Sequence, residues 1–178
     1  MGVMSYRTAD EAADHGARRI SLRVAAPFDE MRARIEAEVP ELDRDDLDAV
    51  TGGRTPWDDF VRGLSWDAPN GFVRLSSDDL GGVLSVAGRD AAAVGYLLMD
   101  WAAAARIHRI EPTALLYLPV RMLLVARGDE VALTLEQPGP HLASFGLNKL
   151  TQAGVELDRR LGDLLEALDI ARPAALRR

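Results

Sequence analysis

Residues 113–126 read TALLYLPVRMLLVA. At the strand period of two, this stretch has two faces. Ala114, Leu116, Leu118, Val120, Met122 and Leu124 make one face entirely apolar, so it is expected to pack on helices. Leu115, Tyr117, Pro119, Arg121, Leu123 and Val125 make the other. That face is too apolar for open water, yet it holds a cation and a phenol. A cover is implied: a second subunit, the Trp-bearing segment 57–66, or a ligand. Arg127-Gly128-Asp129 then makes a turn, and residues 130–136 read as the hairpin partner.

Outward from this hairpin, the strongest helical signal lies downstream. Leu147, Leu150, Gly154, Leu157, Leu161, Leu164 or Leu165 and Leu168 step by three and four residues, which predicts a long amphipathic helix. Gly154 and Gly162 each weaken such a helix by about 1 kcal/mol relative to Ala, so close approach of another element is expected there. Upstream, Asp100 is a plausible N-cap for a helix running to about residue 109, and Pro112 stops it. Residues 71–77, 82–87 and 93–99 read as short strands separated by Gly and Ser-Asp-Asp clusters. Trp57, Phe60, Val61 and Leu64 sit at helical spacing, and residues 51–54, TGGR, form a turn. Near the N-terminus, residues 19–25 alternate Ile20, Leu22 and Val24 inward as a strand. Pro27 then opens a helix whose stripe is Phe28, Met31, Ile35 and Val39. Residues 1–17 read as a loose polar leader, 18–170 as one domain and 171–178 as a tail.

Strands grouped between helices, with hairpin links, predict an α+β fold. It is a single, mainly antiparallel sheet with helices packed on one face and a long C-terminal helix. No alternating βαβ pattern is present.

Composition narrows function by exclusion. The chain has 178 residues, 48% apolar and 28% charged, with no Cys and a net charge of −7. It therefore has the make-up of a globular domain, without a disulfide framework, a thiol nucleophile or Cys-ligated metal. Nucleic acid is an unfavourable partner for so acidic a chain. No segment approaches the roughly 20 apolar residues of a membrane span, and the N-terminus lacks a signal-peptide pattern, so a cytoplasmic location is expected. The acidic run 41–48, ELDRDDLD, lacks the central Gly and closing Glu of a calcium loop and reads as a solvated face or loop.

Several motifs in order resemble the domain-of-unknown-function 302 family. They are Glu111-Pro112, then Ala114-Leu115-Leu116-Tyr117 and Pro119-Val120-Arg121, then Gln137-Pro138, Ala143-Ser144-Phe145-Gly146 and Gly154 to Leu168. The match is best over residues 93–170. The resemblance implies a curved, mainly antiparallel sheet with helices on one side, similar to the half-repeat of TATA-binding protein, and a homodimer. It implies no established activity. Met99-Asp100 and Ile110-Glu111-Pro112 stand where family members often carry Gly-Asn and His-Asp-Pro.

Among single residues Arg121 stands out. A guanidinium among apolar neighbours is costly unless paired. It is either a clamp for an anionic ligand group or half of an internal ion pair or dimer contact. Tyr117, Tyr96, Trp101 and Arg74 are the further ligand-binding candidates, with core packing as the alternative for the aromatics. Asp100 and His108 are the acid–base candidates, although a cap explains Asp100 and a half-buried structural role would explain His108. His15, in the leader, and His141, after Gly139-Pro140, show no metal-ligand spacing, so no metal and no cofactor are expected. Ser144 and Ser85 lack the Gly-x-Ser-x-Gly elbow. Three functions stay open: a small-molecule-binding protein for an apolar or acidic metabolite, a cofactor-independent cyclase, isomerase or lyase, and a structural homodimer without ligand.

Overall fold

The computed structural model describes residues 12–88 and 91–177. In chain order they form β1 (Arg19–Val24), α1 (Phe28–Glu38), α2 (Arg44–Thr51), α3 (Trp57–Asp67), β2 (Val73–Asp79), α4 (Leu80–Ser85), β3 (Ala93–Met99) and α5 (Trp101–Ile110). A 3-10 helix (Pro112–Tyr117), β4 (Val120–Arg127), β5 (Glu130–Glu136), α6 (Pro138–Ala143), α7 (Asn148–Ala167) and a 3-10 turn (Ala174–Leu176) follow. Residues 1–11 of the expected leader lie outside the described residues, and residues 12–17 carry no regular structure.

The five strands form one open antiparallel sheet in the order β1-β5-β4-β3-β2. Alternate residues of β1, β3, β4 and β5 point to a common core. Ile20, Val131, Leu133, Leu135, Val120, Met122, Leu124, Val94, Tyr96 and Leu98 are all buried. α1 covers this face through Met31 and Ile35, packing on β4 and β5. The α7 stripe of Leu150, Leu157, Leu161, Leu164 and Leu165 joins the same core, with α5 and α6 as its neighbours. Each fully buried Leu contributes roughly 1.5–3 kcal/mol, which outweighs the two glycines in α7.

Those glycines have a steric reason. A Cβ on Gly154 would lie 2.9 Å from Gly139 Cα on α6, and one on Gly162 would lie 2.7 Å from Arg172 Cζ. At Gly154 the helices α6 and α7 pack too closely for any side chain, whereas at Gly162 the space is taken by the Arg172 side chain. The tail after α7 also returns to the core, seating Leu176 at 1% exposure.

Two predicted strands are corrected. Residues 82–87 are not a strand: the chain turns into α4 because the Asp79 carboxylate caps it, accepting from Gly82 N at 2.8 Å. Residues 113–119 are not the first half of a long strand either. Glu111 accepts from Thr113 N and Thr113 Oγ1 at 2.9 and 2.6 Å, opening a 3-10 helix with Pro112 at its start. Pro119 has no N–H for the ladder, and β4 begins directly after it. Leu116, expected in the core, is therefore 75% exposed. The acidic run is the solvated face of α2, capped by Asp43, whose carboxylate accepts from Asp45 N. α2 and α6 are helices that the residue pattern does not announce.

Candidate functional site

Among the described residues, the sheet face opposite the core carries no helical layer across its centre. Its register sets Leu97 of β3 beside Arg121 of β4, Gly95 beside Leu123, and Leu123 beside Thr134 of β5. Glu136 lies opposite Arg19 of β1. The floor is thus half-buried Leu97 and Leu123, with Arg19, Arg121 and Glu136 along one end. Leu80 of α4 leans over Gly95 at the other side. A cavity of ≈ 460 Å³ sits on this floor, and Ala17 and Arg18 contribute to its wall. The Arg18 main chain is held there by Gln137 N, which donates to its carbonyl at 2.9 Å, while Arg18 Nη1 donates to Gln137 Oε1 at 3.2 Å.

Arg121 is not buried. Its side chain is 74% exposed and reaches Glu136 Oε2 only at 3.8 Å, a loose pair that contributes little stability. The other oxygen of Glu136 is better engaged. His141 Nε2 lies 2.8 Å from Glu136 Oε1. An ionised carboxylate only accepts, so this nitrogen carries the proton, and Nδ1 of a neutral His141 is an acceptor. His15 Nε2 lies 2.9 Å from that Nδ1 and donates to it. His141 is 5% exposed. Tyr117 stacks on its ring at a centroid distance of 4.6 Å and an angle of 12°, and His15 and Phe145 meet Tyr117 edge-on at 5.3 and 6.0 Å. Tyr117 and Arg121, expected on one strand face, are instead joined in series through His141 and Glu136.

The remaining candidates lie elsewhere. Asp100 is 1% exposed; it caps α5, accepting from Ala103 N at 2.8 Å, and pairs with Arg160 of α7. A cavity of ≈ 320 Å³ lies beside that pair. His108 and Trp101 share a different groove, of ≈ 530 Å³, with Trp57, Met99, Leu115 and Leu118. Arg74 is 9% exposed and ties β2 to the end of α1, donating from Nε to Val39 O at 2.6 Å and from Nη1 to Ser77 Oγ. Tyr96 points into the core, and its hydroxyl has no hydrogen-bond partner among the described residues. Burial, with the Glu36 carboxylate nearby, pushes that hydroxyl up to about 12. Asp100, His108 and Arg121 thus line three different cavities.

Among solved structures, the chain is similar to the crystal structure of an uncharacterized conserved protein DUF302 from Bacillus stearothermophilus. The TM-score is 0.60 at 14% sequence identity, covering 84% of this chain and 97% of that one. The chain shares the DUF302 fold. The resemblance drawn from residues 93–170 is therefore met in three dimensions. No family model and no curated protein matches the chain significantly.

On this DUF302 fold, Glu136 is the residue that sequence reasoning leaves unnamed, and His141 and His15 enter it only as metal-ligand candidates. His15 and His141 stand 126 positions apart, and no motif links them. One signal was present: Pro138, with Gln137 alone between it and the end of β5, suits the first turn of a helix. A short helix there carries His141 back toward the strand end bearing Glu136. Among the described residues no group of three or more His, Asp or Glu is placed to hold a metal ion, and no helix is long and apolar enough to cross a membrane.

Proposed function

We propose that this protein binds a small apolar acid on the open face of its sheet. One observation carries the reading: an apolar floor of Leu97 and Leu123 ends at Arg121, a cation 74% exposed and only loosely held by Glu136. A ligand's hydrocarbon part would cover the leucines, and its carboxylate would take the guanidinium, for which a bidentate pair is the favoured geometry. Arg19 stands within the same wall and adds to the attraction. A mostly apolar cavity with a few convergent polar groups is the usual form of a small-molecule site. Thermal-shift measurements with a series of medium-chain and aromatic carboxylic acids test it. Stabilisation of the wild type that is lost in Arg121→Ala supports the site; equal shifts in both proteins, or none in either, reject it.

A second reading is favoured by α4. Val83, Leu84 and Val86 are 72, 58 and 91% exposed, and they continue the apolar strip that begins with Leu80 at the rim of the open face. Such a strip suits a homodimer contact. Sedimentation of the wild type beside Val83→Asp decides it: a wild-type monomer removes this reading.

A further inference from the structure

The cavity wall contains two carboxylates that work against an anionic ligand, Asp78 and Glu136, and Glu136 is the one paired with Arg121. Glu136 faces the same space as Arg121, so its negative charge offsets part of the arginine's attraction. Yet Glu136 is also one end of a hydrogen-bonded line, His15 to His141 to Glu136. We propose that anion binding at Arg121 is coupled to proton uptake by this line. The proposal rests on the open face being an anion site and adds how that site is regulated.

The argument is one of charge and donors. With both imidazoles neutral, each has a single N–H: His141 donates to Glu136, and His15 donates to His141. The line then carries the one negative charge of Glu136. One added proton makes an imidazolium directly beside the carboxylate and brings the line to neutrality. The line keeps its two contacts: the Nε2 proton of His15 passes to His141 Nδ1, the added proton settles on His15 Nδ1, and His141 Nδ1 then donates to His15 Nε2. The negative charge of Glu136 is cancelled, and Arg121 is left to the incoming anion, with Asp78 of β2 unchanged in the wall. Coupling of two binding free energies is reciprocal, so a bound anion makes the line take up its proton more readily.

Besides Glu136, the charged groups lining this space are Arg18, Arg19, Arg121 and Asp78. Arg121 of β4 and Arg19 of β1 face Glu136 and stay charged. Tyr117 lies flat on the His141 ring. From α7, the Asp158 carboxylate takes the Gly139 and Gln137 amides rather than the imidazole. Ser144 Oγ donates to the His141 carbonyl, away from the ring. Imidazole is the side chain whose ordinary titration falls between about pH 5 and 8.

The test uses the full chain and two fluorescent probes: 8-anilinonaphthalene-1-sulfonate, which stays anionic through this range, and uncharged N-phenyl-1-naphthylamine. Affinity for the sulfonate is expected to rise about tenfold from about pH 8 to about pH 5.5, the scale of one charge at ion-pair distance near a surface. The neutral probe should show no such rise. In His141→Gln the pH dependence is lost. In Glu136→Gln affinity at the higher pH is already raised, because the opposing charge is gone; this second variant serves if the first does not fold. Sulfonate binding that Arg121→Ala weakens, but that does not vary with pH in the wild type, overturns the coupling and leaves the site standing. A pH dependence that survives in His141→Gln, or an affinity at the higher pH that Glu136→Gln does not raise, also overturns it. Binding that is absent, or indifferent to Arg121→Ala at every pH, removes both.

Discussion

The two faces of the sheet are made from alternate residues of the same strands, and they end in opposite states. On β4, Val120, Met122 and Leu124 are buried under α1, while Arg121 and Leu123 between them stand on the open side. The covered face has a helical layer that fills it and glycines that let helices close up. The open face has the same hydrophobic floor but ends in charges that are incompletely paired. Apolar area alone therefore does not determine which face is core. The difference lies in what the flanking segments bring: α1 brings Met31 and Ile35 to one side, and the N-terminal segment brings Ala17, Arg18 and Arg19 to the other.

That contrast can be broken most directly at two adjacent residues. Leu124→Ala should lower stability by about 2–5 kcal/mol, the range for a buried leucine. Leu123→Ala should cost under about 1 kcal/mol and reduce ligand binding instead. Urea denaturation measures both, and similar losses would mean the open face is covered in solution. Next in size, Gly154→Ala should destabilise by about 1–3 kcal/mol through overpacking against Gly139, despite the gain of about 1 kcal/mol in helix propensity. A rise in melting temperature would show that the α6–α7 contact is looser than the structure has it.

A smaller contrast pairs one polar group from each face. Tyr96→Phe removes a buried hydroxyl without a partner and should raise stability by about 1 kcal/mol. Arg121→Ala should leave stability unchanged within about 0.5 kcal/mol. The Tyr96 hydroxyl, pushed up to about 12 from its ordinary 10.0 by burial, also predicts alkaline behaviour. Its folded-state value lies above the unfolded one, so its contribution is whole below pH 10 and is lost as pH rises toward 12. Wild-type stability should fall more steeply there than that of Tyr96→Phe, and parallel curves would contradict the burial. The smallest effect lies on the outer surface of α7. The hydrogen bond from Arg159, and then that from Arg160, hold the Glu156 carboxyl down at about 2 against an ordinary 4.5. Its contribution is present above about pH 4.5 and is lost as pH falls toward 2. Glu156→Gln should flatten that part of an acid denaturation profile slightly, since the group is largely in water.

Much of the fold could be read from the residues because local periodicity and packing agree. The alternation in β1, β3 and β4, the leucine stripe of α7 and the cap at Asp100 are each local statements that the core bears out. The long strand at 113–126 was overextended because its first half alternates just as well as its second. The side chain of Glu111 and the missing N–H of Pro119 decide between them, and periodicity does not register either. Residues 82–87 failed for a related reason: six residues cannot distinguish a strand from a capped helical turn, and Asp79 supplied the cap. The site was less legible. Arg121 and Tyr117 were visible as misfits among apolar neighbours. Glu136, His141 and His15 look ordinary in sequence and acquire meaning only when β5 and α6 bring them together.

The strand order has a consequence for synthesis. Among the described strands β1 pairs with β5 alone, so during synthesis it has no partner among them until residues 131–136 have followed it. Throughout that interval, RISLRV is an unpaired edge able to join a neighbouring nascent chain. Arg19 and Arg23, alternating with the apolar residues, place a positive charge at each end of that edge, as gatekeeper residues do. The arginine that later faces the cavity thus has an earlier task, keeping a waiting strand from finding the wrong chain.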